Sequence, residues 1–233
     1  MAKRFWSKVA LDHDEAGHFV RLDGRELKTP NRRRIRVPSA AIAAKLKREW
    51  DAVPLAVEGD IDPNVMPVTR LANVAGEVDA ARRDALVAEA RAYAGTDLLS
   101  YRAPDPEEYV QRQAAAWDPW LDWARARGVD LATTESLIAV DQPESSLDAV
   151  AERARGLDAF ALTLFVHLVT VTGSAVLAMA VMEGALSPGE AFDLSRMDEL
   201  YREEVWGVDE DAAAQRNALR AETVVLGELA GDM

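Results

Sequence analysis

The 233-residue chain has no cysteine. That excludes disulfides, thiolate metal sites and cysteine nucleophiles together, and it fits a reducing compartment. Histidine is nearly as scarce, with only His13, His18 and His167. No pair of them has ligand spacing, so no histidine-based metal site is expected. His13 and His18 fall near a turn in a strand-like segment, and His167 lies on an apolar helix as a core histidine. The patterns HExxH, GxxxxGK[ST], GxGxxG and GxSxG are all missing, and nothing signals a bound nucleotide. There is no internal repeat and no low-complexity tract. The opening residues, "MAKRFWSKVALDHDEAGHFV", lack the apolar core of a signal peptide and meet acids too early for a transit peptide. A cytoplasmic protein is the expectation. Positive charge is in deficit: 27 Lys and Arg against 40 Asp and Glu give a net charge of −13. Phosphate backbones would be repelled, so nucleic acid is excluded as a partner, and a basic protein surface is favoured.

About half the residues, 49%, are apolar, enough for a sizeable core in one large domain or two small ones. Residues 1–38 read as a small antiparallel meander. "FWSKVALD", "HFVRLDG" and "RRIRVPS" are its strands, with turns at Asp23-Gly24 and at "TPN" over 29–31. The alternation in "RRRIR" places Arg32, Arg34 and Arg36 on one strand face, expected to be solvated. From Ser39, a predicted N-cap, helices take over. Ile42, Leu46 and Trp50 form one stripe of the first helix, over 40–52. Others are expected over about 67–80, 82–94, 106–126, 145–155, 158–172, 174–185 and 209–230. Another opens at Ser187 with a capping box to Glu190. The segment "VDLATTESLIAVDQPESS" is open between loop and short hairpin. Residues 159–182 carry no formal charge and are long enough to span a bilayer. Their threonines, His167 and the Gly173-Ser174 break favour two buried helices over a membrane span. The prolines of "YRAPDPEE" mark a boundary. The expected fold class is α+β: an N-terminal antiparallel β-rich domain with helices, 1–102, followed by an all-helical C-terminal domain, 103–233.

Two features invite function. "LYREEVWGVDEDAAAQR" surrounds Trp206 with acids, and Glu199, Glu203 and Glu204 fall toward a helix C-terminus, where negative charge is mildly unfavourable. Arg196 and Arg202 offset them in part. Asp209 reads as an N-cap, with Glu210 and Asp211 in the first turn. No calcium loop fits, because the alternating oxygen ligands and central Gly are missing. "WDPWLDWA" groups Trp117, Trp120 and Trp123, with Pro119 suited to a first helical turn. These rings read as core, with one or two available to a partner.

Six segments resemble, in order, the assembly chaperones of the ATP synthase catalytic sector that protect the free alpha subunit. They are "LDGRELKTP" (22–30), "EWD" (49–51), "MPVTRLAN" (66–73), "YAGTDLLSYRA" (93–103), "WDPWLDWA" (117–124) and "DELYREEVWGVDEDA" (198–212). The resemblance implies no catalysis, no cofactor, no metal, no small-molecule substrate and no membrane insertion. It implies binding of the alpha subunit until the beta subunit replaces the chaperone. It also implies an address in the bacterial cytoplasm, with homologues in the mitochondrial matrix. Glu199, Glu203, Glu204, Trp206, Glu210 and Asp211 are then expected to meet the partner. Trp50, Met66, Pro67, Asp97 and Trp117 are expected to be architectural. Two other readings stand open: an enzyme using the 198–211 carboxylates, with or without a metal, and a generic acidic adaptor.

Overall fold

The computed structural model describes residues 4–54, 61–136 and 138–233. The chain opens as a three-stranded antiparallel sheet, with β1 (Val9–Asp14), β2 (Gly17–Leu22) and β3 (Arg25–Glu26) in sequential order. β1 and β2 form a tight hairpin in which Val9 faces Leu22 and His13 faces His18. Asp23 and Gly24 both take positive φ, 47° and 81°, as a type I′ turn requires. The Asp23 carboxylate accepts the Ser7 and Lys8 amides, which holds this strained position. The third expected strand is reduced to two single bridges, Lys28 with Arg34 and His18 with Val37. Arg36 also departs from expectation, with only 12% of its side chain exposed. Its guanidinium lies 3.8 Å from the Phe19 ring and pairs with Asp14 at 2.6 Å and Glu26 at 3.3 Å. The neighbouring strands supply two carboxylates and an aromatic face, so burial costs this arginine little. Arg32 and Arg34 are exposed as expected.

α1 (Ala40–Ala52) covers the sheet, capped by Ser39, whose hydroxyl accepts the Ile42 amide at 3.2 Å. Ile42 and Leu46 are buried. Trp50 is half-buried at the core edge, against Trp6 at 4.9 Å. α2 (Pro67–Gly76) begins with Pro67 at its first turn, and its own cap residue, Met66, has no side-chain oxygen to offer. A different helix supplies the cap. Glu49 of α1 accepts the Val68 and Thr69 amides, both at 2.7 Å, and the Thr69 hydroxyl at 2.6 Å. Burial pushes the Glu49 carboxyl up, and the hydrogen bonds from Thr69 and Val68 oppose the shift. The conjunction of "EWD" and "MPVTRLAN" is thus one contact between two helices.

α3 (Ala80–Gly95) follows, then a 3₁₀ turn at Leu98–Ser100, then α4 (Glu107–Arg125). Pro119 lies inside α4 and not in its first turn, since the helix starts a dozen residues earlier and runs through it. Trp117 is buried, with its indole N–H donating to the Leu194 carbonyl at 3.1 Å. Trp120 and Trp123 are half-buried. Residues 129–143 form no hairpin among the described residues. They run alongside the 100–102 segment through one parallel bridge, Tyr101 with Thr134.

The rest is helical: α5 (Glu144–Gly156), α6 (Ala159–Thr172), α7 (Ala175–Met182), α8 (Pro188–Ser195), α9 (Met197–Trp206) and α10 (Glu210–Gly227). The predicted capping box of Ser187 and Glu190 opens α8. Gly173, at φ 66°, ends α6 in the left-handed conformation, and Ser174 caps α7. The long uncharged run is therefore two buried helices, and no described helix is long and apolar enough to cross a membrane. α6 and α7 form the centre, with α2, α3, α5, α8 and α10 packed around them. The fold class is α+β, as expected. A single core cluster takes in residues from Trp6 to Leu229.

Asp97 is fully buried. One carboxylate oxygen accepts the Leu99 amide at 3.0 Å and the other the Val176 amide at 3.1 Å, in the first turn of α7. Burial pushes its pKa up to about 6, against the pull of hydrogen bonds from Ser174, Leu99 and Val176.

Two predictions follow from these crossed caps. Glu49→Ala leaves two amides of α2 without an acceptor and lowers unfolding free energy by about 1–3 kcal/mol in urea titration. Glu49→Gln, which keeps one acceptor oxygen, costs less. Asp97 binds its proton more tightly folded than unfolded. Its contribution to stability is therefore greatest below its ordinary value of 3.8, falls as pH rises toward about 6, and is constant above. Urea midpoints of the parent and Asp97→Asn, compared from pH 4 to 7, should move in the variant's favour up to about pH 6. A parent that gains on the variant over that range overturns the assignment.

Candidate partner-binding site

α9 contributes only Met197 to the buried set. Burial therefore does not fix this helix; polar and aromatic contacts do. The Tyr201 ring stacks on Tyr109 of α4, with centroids 4.1 Å apart and planes at 18°. The Asp198 carboxylate accepts the Tyr109 hydroxyl, and the Gln113 side-chain amide at 2.9 Å. Burial first, and then the Asp198 contact, raise the Tyr109 phenol well above its ordinary range, so it stays a donor. Gln113 is itself buried, and its carbonyl accepts the Ala103 amide at 2.8 Å.

Three of the six candidate residues are already paired within the molecule. Glu199 meets Arg216 of α10 at 2.8 Å, and Glu203 takes the same guanidinium bidentately at 2.6 and 2.8 Å. Glu204 meets Arg112 of α4 bidentately at 2.6 and 2.9 Å. The hydrogen bond from Arg112 holds the Glu204 carboxyl below its ordinary value. The hydrogen bonds that Arg216 donates to Glu203 and Glu199 raise its own value in turn. The offset expected from Arg196 and Arg202 is thus a minor part. Arg196 reaches Glu199 only at 4.0 Å, and Arg202 donates to the Asp198 backbone carbonyl. The charges that fit α9 for its helix end come from two other helices. These pairs are partly exposed and screened by water and salt.

The other three candidates face solvent. Trp206 is 76% exposed, and Val205 and Val208 are exposed beside it. Gly207, at φ 93°, ends α9 just after the ring. Asp209 caps α10 as expected, accepting the Asp211 and Ala212 amides at 3.0 and 3.1 Å. Glu210 and Asp211 stand exposed in the first turn. A large apolar side chain with acids around it is thus displayed on a corner. Beside it runs a cleft of about 820 Å³, bounded by residues 101–106, the start of α4, Glu135 and Ser136, and α9.

Among the described residues, no group of three or more His, Cys, Asp or Glu is placed to hold a metal ion. The architectural candidates are placed as follows: Met66, Asp97 and Trp117 buried, Trp50 and Pro67 half-buried. Sequence reasoning missed Glu49, Arg112, Gln113 and Tyr201. Glu49 stood within a quoted motif, and a helix starting at Met66-Pro67 without a cap residue was the available signal. Arg112 carried none, lying 92 positions from its partner.

The fold and this display define the class when set beside known proteins, which are chaperones. The family model described as ATP12 chaperone protein matches residues 3–125. The crystal structure of Atp12 from Paracoccus denitrificans superposes with a TM-score of 0.89 at 41% identity, covering 99% of this chain and 97% of that one. A putative chaperone from Agrobacterium tumefaciens gives 0.86 at 36% identity, covering 96% and 82%. Protein atp12, mitochondrial, of Schizosaccharomyces pombe is 23% identical over 90% of this chain and 75% of its own length. The chain belongs to the ATP12 chaperone family. The resemblance carried by the six segments is thereby borne out.

Exposure separates the tryptophans, and stability should follow it. Trp117→Ala should lower unfolding free energy by about 3–5 kcal/mol. Trp206→Ala should leave it within about 0.5 kcal/mol, and Glu204→Lys should shift the urea midpoint little. Early melting of the latter two would make the corner structural.

Proposed function

We propose that this chain binds the free alpha subunit of the ATP synthase catalytic sector, keeps it from aggregating, and yields it to the beta subunit as the hexamer forms. The observation that carries the reading is Trp206, displayed among acids on a member of a chaperone family. An unpaired ring subunit exposes apolar surface meant for its neighbour, and such surface aggregates. A holder without a nucleotide cycle acts by mass action. It needs an affinity sufficient to protect and lower than that of the final ring contact.

The candidate residues divide the work. Trp206, Glu210 and Asp211 are free to meet an apolar, basic surface. Glu199, Glu203 and Glu204 can do so only by exchanging Arg216 and Arg112 for a partner's cations, an exchange close to neutral in energy and therefore reversible. Rim charges of this kind set on-rate and partner choice more than affinity. The role is non-enzymatic and needs no cofactor. The bacterial cytoplasm is the proposed site of action, supported by the bacterial relatives. The division at residues 102 and 103 is kept as a proposal, with the 103–233 part carrying the displayed corner.

Light scattering by the isolated alpha subunit tests the reading. Near-equimolar chain should suppress aggregation, and added beta subunit should release the client into hexamer. Trp206→Ala should weaken binding about tenfold or more, as hot-spot tryptophans do. Unchanged aggregation in the presence of the chain overturns the proposal, and equal binding of unrelated basic proteins makes it a generic acidic adaptor.

A further inference from the structure

The cleft beside Trp206 has a composition that specifies an occupant. Its floor is rigid: the Tyr109–Tyr201 stack and the bonds of Asp198 to Tyr109 and Gln113 fix it from two helices. Its upper edge is apolar, with Val205 53% exposed next to Trp206. The exposed Pro104 and Pro106 also line the cleft, with Glu135 and Ser136 beside them. Exposed apolar side chains from α9 and from the 101–106 segment thus line one groove.

The charges in the lining are unequal. Arg102 is neutralised by Asp118 at 2.7 Å and held by the Leu99 carbonyl at 2.9 Å, so it offers little to a ligand. Asp105 and Glu135 are exposed at the mouth, and neither takes part in an ion pair among the described residues. Arg202 alone opposes them, and its guanidinium already donates to the Asp198 carbonyl. Beyond Gly207, the exposed Glu210 and Asp211 extend the negative field.

We propose that this cleft is the seat of a peptide segment of the partner carrying one or two large apolar side chains next to a lysine or arginine. The apolar side chains enter between Tyr201, Val205 and the 101–106 segment. The cation lies at the mouth, against Glu135 and Asp105. The inference rests on the reading of the chain as a client-binding chaperone and adds which surface of the client is held: a basic-flanked apolar segment within a groove, not a flat patch on the tryptophan alone. The size is suitable, since pockets of several hundred Å³ with apolar walls and a few polar groups seat short segments. The paired acids of α9 lie outside the lining, which separates this site from the corner charges.

Two arms test it. In the first, the isolated alpha subunit is titrated by fluorescence anisotropy with the parent chain, Val205→Asp, Glu135→Lys and Asp84→Lys, a control reversal on α3. Circular dichroism first verifies that all are folded. Val205→Asp should weaken binding about tenfold, with little dependence on salt. Glu135→Lys should weaken it severalfold at low salt and progressively less as salt rises, and Asp84→Lys should bind as the parent does. If the parent protects the client and both cleft variants bind it equally well, the cleft is not the seat, although the chaperone reading stands. If the parent fails to bind the alpha subunit, that reading falls, and the second arm decides on the cleft alone. A synthetic peptide with a phenylalanine-leucine pair followed by arginine and lysine is compared with the same peptide ending in two glutamates. The basic peptide should bind and perturb tryptophan fluorescence, the effect should be lost in Val205→Asp, and the acidic peptide should be inert. Equal binding of the two, or of neither, overturns the inference.

Discussion

Asp97 is the contact on which the placement of everything outward depends. Its carboxylate is fully buried and holds two things together: the 3₁₀ turn that follows α3 and the first turn of α7. The Leu98 amide completes the junction by donating to the Gly173 carbonyl at 2.9 Å, where α6 gives way to α7. A buried acid survives there because free amides at a helix start need an acceptor and because burial holds its pKa up. The Arg102 amide bonds to the Thr134 carbonyl, the Thr134 amide to the Ser100 carbonyl, and Ala103 to Gln113. Gln113 then reaches Asp198 of α9. A line of hydrogen bonds thus runs from the core to the wall of the cleft.

The periphery is held differently. α9 buries almost nothing, and its position is set by a tyrosine stack and by arginines from α4 and α10. Apolar burial is costly to undo, whereas partly exposed ion pairs exchange partners with little change in free energy. Under the proposed function, a holder that must later let go benefits from placing its recognition surface on the second kind of contact while anchoring the rest on the first. The same economy explains the paired state of Glu199, Glu203 and Glu204. Left unpaired at a helix C-terminus they would repel one another, and bonded to Arg216 and Arg112 they are neutralised.

The resemblance in six segments acquires a physical content once the contacts are known. "EWD" and "MPVTRLAN" are joined because Glu49 caps the helix that Pro67 opens. "YAGTDLLSYRA" contains Asp97 and the path to the cleft. "WDPWLDWA" supplies Trp117, bonded to the Leu194 carbonyl at the end of α8. Motif residues of this chain are therefore largely those that fasten one element to another, and the displayed corner is one segment among them.

Local chemistry alone settled the α+β class, the caps at Ser39, Ser187 and Asp209, the Asp23-Gly24 turn and the break at Gly173-Ser174, because each depends on residues within a few positions of one another. Periodicity settled the buried face of α1, with Ile42 and Leu46 inside and Trp50 at its edge. Tertiary structure decided the rest. Arg36 is largely covered because Phe19, Asp14 and Glu26 surround it, and the third strand shrinks to single bridges. The acids of α9 are neutralised by residues 13 to 92 positions away, and the cleft exists only where three separate segments converge. Such contacts depend on which surfaces meet after the core has formed, and no spacing along the chain encodes that meeting.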